Sequence, residues 1–453
     1  MQTLGTMLTV VIMLATLCRL ASAQTYSYTI VDTGQTTYYN DQNGVITVPP
    51  APSDPFYGQD AQYDGNQPDY DVIAGGAVVE DNVTGLFWTQ SIDIDGVAGI
   101  DAGDKLTRAA LDARVTQLNS TAYGGRTDWR APTVKELYSV IRFDGIQPRP
   151  QAATGAGGAF FLDGSVFDFE WGDVASGDRI IDMQVWSSTD YTSVTMVNDQ
   201  SFMGVNFADG RIKGYPLQTP RSGADGEYYA MLVAGNPDYG VNGFVDNGDG
   251  TITDRATGLE WTQEDSPLRM NWEDVLADVQ QKNEQNHLGH DDWRLPNAKE
   301  LHSLVDYTRS PDATSSPAID PLFQLTATEQ TAGDFTDANG DYGFHWTGTT
   351  FLELDQTGSV RSSSAVYISF FEVLGNPFGT VLDVHGAGAQ RTDPKTVGDR
   401  SPGDFFGPQG DYISINNYAL LVRAVPEPST IVMAVFGLVG LVSSGFWQRR
   451  RRR

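Results

Sequence analysis

Five histidines, His287, His290, His302, His345 and His385, are the side chains best suited to proton transfer near neutral pH, and all lie in the second half of the chain. None sits in the His-Glu-x-x-His spacing of a helical zinc site. His287 and His290 come closest, near the end of a helical pattern, but no third ligand follows, so a solvent-facing or capping role is expected. No Gly-x-Ser-x-Gly elbow or phosphate loop is present. The only cysteine is Cys18, in a segment that reads as removable, so no thiolate nucleophile, thiolate metal site or disulfide is expected in the mature chain. Carboxylates are abundant instead: 58 Asp and Glu face 29 Lys and Arg, a formal charge of −29 that argues against nucleic acid as a partner.

Among these acids, Asp337-Ala338-Asn339-Gly340-Asp341 sets side-chain oxygens at alternate positions, as calcium loops do. Asp337, Asn339 and Asp341 are the expected calcium ligands, although Gly343 falls one residue later than an EF-hand requires. Asp246 to Asp254 has a similar composition, but placing Gly250 at the sixth position puts Val245 first, so a turn between strands is expected there. Asp93, Asp95, Asp101 and Asp104 form a third acidic group, expected as a solvated loop. Trp88, Trp129, Trp261 and Trp293 offer flat faces for a sugar ring, yet their positions within apolar strands and helix entries suit a core better. Ligand-binding aromatics are expected instead in a long loop, at Phe405, Phe406 and Tyr412.

These residues are positioned by a repeat. Thr84-Gly85-Leu86-Phe87-Trp88-Thr89-Gln90 returns as Thr257-Gly258-Leu259-Glu260-Trp261-Thr262-Gln263. Asp128-Trp129-Arg130-Ala131-Pro132 with Lys135-Glu136-Leu137 returns as Asp292-Trp293-Arg294-Leu295-Pro296 with Lys299-Glu300-Leu301. Trp186 and Trp346, then Tyr229 and Tyr418, complete four landmarks in one order, which makes a duplicated domain. The first two Trp landmarks lie 41 residues apart in copy one and 32 in copy two, placing an insertion in 91–104. Copy two is longer around 376–411. Each copy is expected to open with a hairpin and continue with an amphipathic helix, carried by Leu111, Val115 and Leu118 or by Trp272, Val275, Leu276 and Val279. A shorter helix then follows, with Thr133 and Glu136, or Asn297 and Glu300, at capping-box spacing. The short linker 236–242 predicts a fixed side-by-side arrangement of the copies.

The ends read as addresses. An apolar run from Met7 to Leu17 and Ala21-Ser22-Ala23 before Gln24 give a signal peptide, despite Arg19 lying after the run. At the other end Pro426-Glu427-Pro428 precedes an apolar stretch from Ile431 to Trp447 and five arginines, Arg449 to Arg453. A plain membrane anchor accounts for the apolar stretch and its arginines. The full succession resembles the PEP-CTERM sorting signal of Gram-negative bacteria. That resemblance implies recognition of Pro426, Glu427 and Pro428 by an exosortase, transient anchoring in the inner membrane, and release to the cell surface or the exopolysaccharide matrix. Loss of both ends removes six basic residues and leaves a charge of about −35.

Asp246-Asn247-Gly248-Asp249-Gly250 through Gln263, with the later Trp-Arg-Leu-Pro-x-x-x-Glu-Leu, resembles the Lcl C-terminal domain family. The Arg-Leu-Pro-x-x-x-Glu element is also similar to the C-type-lectin-like fold of formylglycine-generating enzymes, whose chemistry needs cysteines that the mature chain lacks. The resemblance implies an α+β chain of two tandem C-type-lectin-like domains, each with two helices and a twisted antiparallel sheet. The expected organisation is signal peptide 1–23, N-terminal extension 24–69, copy one at 70–236, copy two at 241–425, and a sorting signal with membrane segment at 426–453. The function that follows is a non-catalytic matrix protein that binds polysaccharide. A glycan-modifying enzyme using loop carboxylates, or a purely structural acidic matrix protein, are the alternatives.

Overall fold

The computed structural model describes residues 26–97, 99–220, 222–326, 343–398, 401, 403–407 and 409–425. The signal segment 1–23 and the apolar segment Ile431 to Trp447 lie outside them. Among the described residues no helix is long and apolar enough to cross a membrane.

The extension carries β1 (Tyr38–Tyr39) and β2 (Val45–Ile46). Copy one opens with β3 (Tyr70–Ile73), β4 (Val78–Asp81) and β5 (Leu86–Thr89), followed by α1 (Arg108–Ser120) and α2 (Val134–Ser139). It closes with β6 (Gln184–Val185), β7 (Asp190–Thr195), β8 (Asp199–Asn206), β9 (Arg211–Pro216) and β10 (Val233–Gly235). Copy two opens with β11 (Phe244–Asp246), β12 (Thr251–Asp254) and β13 (Leu259–Thr262), then α3 (Trp272–Glu284), α4 (Ala298–Ser303) and α5 (Pro311–Thr314). It continues with β14 (His345–Leu354), β15 (Val360–Ile368), β16 (Leu374–Gly375), β17 (Leu382–Asp383) and β18 (Gln390–Pro394). β19 (Phe405–Phe406), β20 (Asp411–Tyr412) and β21 (Val422–Ala424) end it.

Local chemistry explains the elements. Fully buried Asp81 and Asp254 accept backbone N–H groups inside the β4–β5 and β12–β13 turns, where Gly85 and Gly258 take positive φ. The Asp246 to Asp254 stretch is a turn between β11 and β12, with Asp246 and Asp249 accepting from the backbone two residues on. Thr107 and Asn271 cap α1 and α3, and both helices end at a left-handed residue, Ala122 or Asn286.

The expectation of two separate α+β, C-type-lectin-like domains is corrected by the sheets. The fold is β-rich, 28% strand against 15% helix. Each copy keeps its own four-stranded sheet, β10-β5-β4-β3 or β11-β12-β13-β21, but the remaining long strands merge into one seven-stranded sheet ordered β14-β15-β18-β9-β8-β6, with β7 also on β8. Ile212 of β9 pairs with Gln390 of β18, and these are equivalent positions, because Ser201 opposes Pro216 in copy one as Ser364 opposes Pro394 in copy two. The copies therefore meet about a pseudo-twofold axis through that pair. The physical reason is the strand edge: β9 and β18 are each the outer strand of a three-stranded arm, β7-β8-β9 or β14-β15-β18, and each covers the other's edge.

The helices repeat this symmetry. Lys135 Nζ donates to Ser303 O at 2.8 Å, and Lys299 Nζ to Ser139 O at 2.8 Å, so the lysine of each copy bonds to the last residue of the other copy's short helix. One continuous core runs through both copies, including Trp88, Trp261, Trp293 and Trp346. A second cluster in copy one holds Trp129 and Trp186. These tryptophans are at most 2% exposed, which assigns them to packing.

Candidate functional site

The repeated Trp-Arg-x-Pro-x-x-Lys-Glu-Leu segment is a folding device. Glu136 and Glu300 close capping boxes with Thr133 and Asn297, and the same carboxylates pair with Arg130 and, through two bonds of 2.6 and 2.5 Å, with Arg294. Asn119 and Asn283 each exchange two hydrogen bonds with the backbone of Trp129 or Trp293, tying helix end to motif. These residues are thereby committed to structure.

The histidines are dispersed. Buried His302 bonds to Tyr307 Oη at 2.7 Å, and its pKa lies well below the ordinary value because burial disfavours the imidazolium. His385 Nε2 meets Asp411 Oδ1 at 2.9 Å, and burial draws its pKa down to about 4. His345 Nε2 meets Asp265 Oδ2 at 3.0 Å, with both side chains wholly buried. His290 lies 3.3 Å from Glu260, while His287 lines a separate cleft, so the two are not gathered on one metal position.

The calcium ligands expected at Asp337, Asn339 and Asp341 lie outside the described residues, as do Pro426, Glu427 and Pro428. Phe405 and Tyr412 are paired backbone to backbone between β19 and β20. Phe406 is 52% exposed, and Tyr412 packs against the core. The copy-one acidic loop is exposed at Asp95, Gly96 and Val97, as a solvated loop should be, but it is built around one buried carboxylate. Asp104 is fully buried and accepts the N–H groups of Ile94, Asp95 and Asp101 at 2.7, 3.1 and 3.0 Å. Asp93, Asp95 and Asp104 bring carboxylate oxygens within 4.8 Å of one another, hard donors of the kind calcium takes.

Two large clefts open among the described residues. One, about 740 Å³, lies in copy two between β13, α3 and the chain near Gln324, and Asp265 forms part of its wall. Asp265 there also accepts from Thr326 N and Oγ1 at 3.0 and 2.6 Å. The other, about 870 Å³, lies in copy one and is walled by α1, the β7–β8 hairpin and the chain after β9. Its polar groups include Arg108, Asp112, Asp190, Asp199 and Asp225. Arg108 pairs with Asp190 and lies 5.0 Å over the Trp186 ring, which is held by a 2.7 Å bond from its Nε1 to Leu106 O. The sequence reading missed this cleft, because its residues come from three distant segments and have no motif spacing.

The profile of the Lcl C-terminal domain matches residues 77–233 and again 250–376. The chain belongs to the Lcl C-terminal domain family. A PEP-CTERM protein-sorting motif matches residues 424–452, which implies export and a cell-surface or extracellular location. Comparison with curated proteins and with solved structures gave no match. In this tandem Lcl C-terminal protein the first family segment supplies β6 to β9 of the seven-stranded sheet and the second supplies β14 and β15, while β18 lies beyond its end.

Proposed function

We propose that this chain is a non-catalytic, polysaccharide-binding protein of the extracellular matrix of a Gram-negative bacterium. An exosortase acting at Pro426, Glu427 and Pro428 releases it from transient anchoring in the inner membrane. The sorting motif carries the reading, since it implies delivery of an acidic, duplicated domain to the outside of the cell, where a polysaccharide ligand would be met. Two further observations support it. The described histidines pack into the fold or bond to neighbouring side chains instead of converging, and the open clefts are lined by hydrogen-bonding groups suited to hydroxyl-rich ligands.

The test is co-sedimentation of the mature chain, residues 24–428, with its producer's exopolysaccharide, in calcium and then in chelator. Saturable retention is expected, and loss in chelator assigns calcium a part in binding. No retention in either condition overturns the binding role, and release of reducing ends during incubation overturns the non-catalytic one.

A further inference from the structure

The two copies differ in what lies over one shared surface. The matching helix-end bonds of Asn119 and Asn283 place Arg108 and Asp112 where copy two has Trp272 and Leu276. The matching bonds from Ser187 Oγ to Met203 O and from Thr347 Oγ1 to Val366 O, with the register at Pro216 and Pro394, fix the strands. Asp190 then matches Thr350, Asp199 and Gln200 match Ser362 and Ser363, and Leu217 matches Lys395.

In copy two the N-terminal extension lies against every one of these positions, leaving a groove of about 160 Å³ between Asn43 and Ser363. Phe56 stacks on Trp272 at 6.3 Å, and Gly58 lies against Leu276. Gln35 exchanges bonds of 2.9 and 2.8 Å with the Thr350 backbone. Asn43 Oδ1 accepts from Ser362 N and Ser363 N, both at 2.9 Å, and Lys395 Nζ donates to Asn40 O at 3.2 Å. Buried Asp60 adds a further tie by accepting from Thr349 Oγ1 at 2.6 Å. There is one extension and two such surfaces. In copy one Arg108, Asp112, Asp190, Asp199, Gln200 and Leu217 all line the open 870 Å³ cleft.

Resting on the polysaccharide-binding reading above, we infer that the copy-one cleft is the glycan site of this chain, that it takes a segment free of acidic groups, and that the matching copy-two surface is closed by residues 35–63. The lining gives the ligand class. Four carboxylates, Asp112, Asp190, Asp199 and Asp225, face Arg108, and acid outnumbers base even with Arg221, which falls in sequence between the lining residues Pro220 and Gly223 but outside the described residues. Carboxylates accept paired hydrogen bonds from sugar diols, whereas a uronate or sulfate ester brought among them meets like charge. Arg108, braced on Trp186, supplies the matching donors. One chain therefore offers one site of this kind despite its two copies, and the avidity that paired sites would give does not arise within a single chain.

The experiment is calorimetric titration of residues 24–428 with size-defined oligosaccharides from the producer's polysaccharide, split by anion exchange into neutral and acidic fractions. Binding of the neutral fraction at one site per chain is expected. Asp199→Asn with Asp225→Asn, and separately Arg108→Ala, are expected to weaken it at least tenfold, with thermal midpoints confirming the fold. Ser363→Asp, on the covered copy-two surface, leaves the neutral fraction bound with unchanged affinity. Two sites per chain, binding confined to the acidic fraction, or unchanged affinity in the copy-one variants overturns this inference while leaving polysaccharide binding intact. No binding of either fraction overturns both.

Discussion

Asp60 gives the docking of the extension a pH dependence that can be worked out in advance. Its carboxylate is 5% exposed, with Oδ2 accepting from Thr33 Oγ1 at 2.8 Å and Thr349 Oγ1 at 2.6 Å. Burial first, and the nearby Asp32 charge second, push its pKa from 3.8 up to about 7. A carboxyl with a raised folded pKa stabilises the native state most below its unfolded pKa. That contribution falls as pH rises from about 4 to about 7 and is gone above it, because only in this window does the folded state alone hold the proton. At about 1.4 kcal/mol per pH unit, the three-unit window amounts to about 4 kcal/mol. Asp60→Asn keeps the acceptor and the volume but cannot ionise. Urea unfolding of the mature chain and the variant, from pH 4 to 8.5, is the assay. The variant should gain on the wild type by a few kcal/mol between pH 4 and 7, then run parallel to it. Parallel profiles across the whole range would refute the reasoning.

Three further outcomes test the scaffold. Lys299→Met strands the carbonyls of Asp32 and Ser139, which now accept at 2.9 and 2.8 Å, and should cost about 3 kcal/mol in urea unfolding. Burial lowers the Lys299 pKa to about 7, so its contribution is present above the unfolded value of 10.5 and lost as pH falls towards 7; the variant should lack that slope. Glu300→Gln weakens the two-bond pair between buried Glu300 and half-buried Arg294 and should cost about 2–3 kcal/mol, read as a lower thermal midpoint. Asp104→Ala removes the acceptor of three backbone amides, and limited proteolysis should then cut within 91–104 at least several-fold faster than in the wild type.

Local structure was legible where local physics decides it. The hairpins, both capping boxes and the amphipathic stripes follow from periodicity and turn chemistry, and Leu111, Leu118, Trp272, Val275, Leu276 and Val279 are all buried. The assembly of the copies was not legible, because an edge strand such as β9 carries no mark of what will pair with it. One signal was available: Lys135 and Lys299 recur inside otherwise buried helices, and a lysine kept in that setting needs a partner for its ammonium group. The role of Asp104 within the acidic insertion was not legible for a related reason. Composition suggests solvation, whereas the loop folds around the Asp104 carboxylate. The covering of copy two by residues 35–63 was invisible to pattern, since single side chains spaced irregularly along an extended chain make the contacts.

The two copies form one body, with the chain's own N-terminal extension laid over the second. Hydrogen–deuterium exchange of the mature chain, resolved by peptide, tests this most directly. Peptides spanning 208–216, 388–395 and 35–63 should exchange slowly and lose protection together as urea is added. Exchange of 35–63 at the rate of a free peptide, or separate loss of protection in β9 and β18, would contradict it.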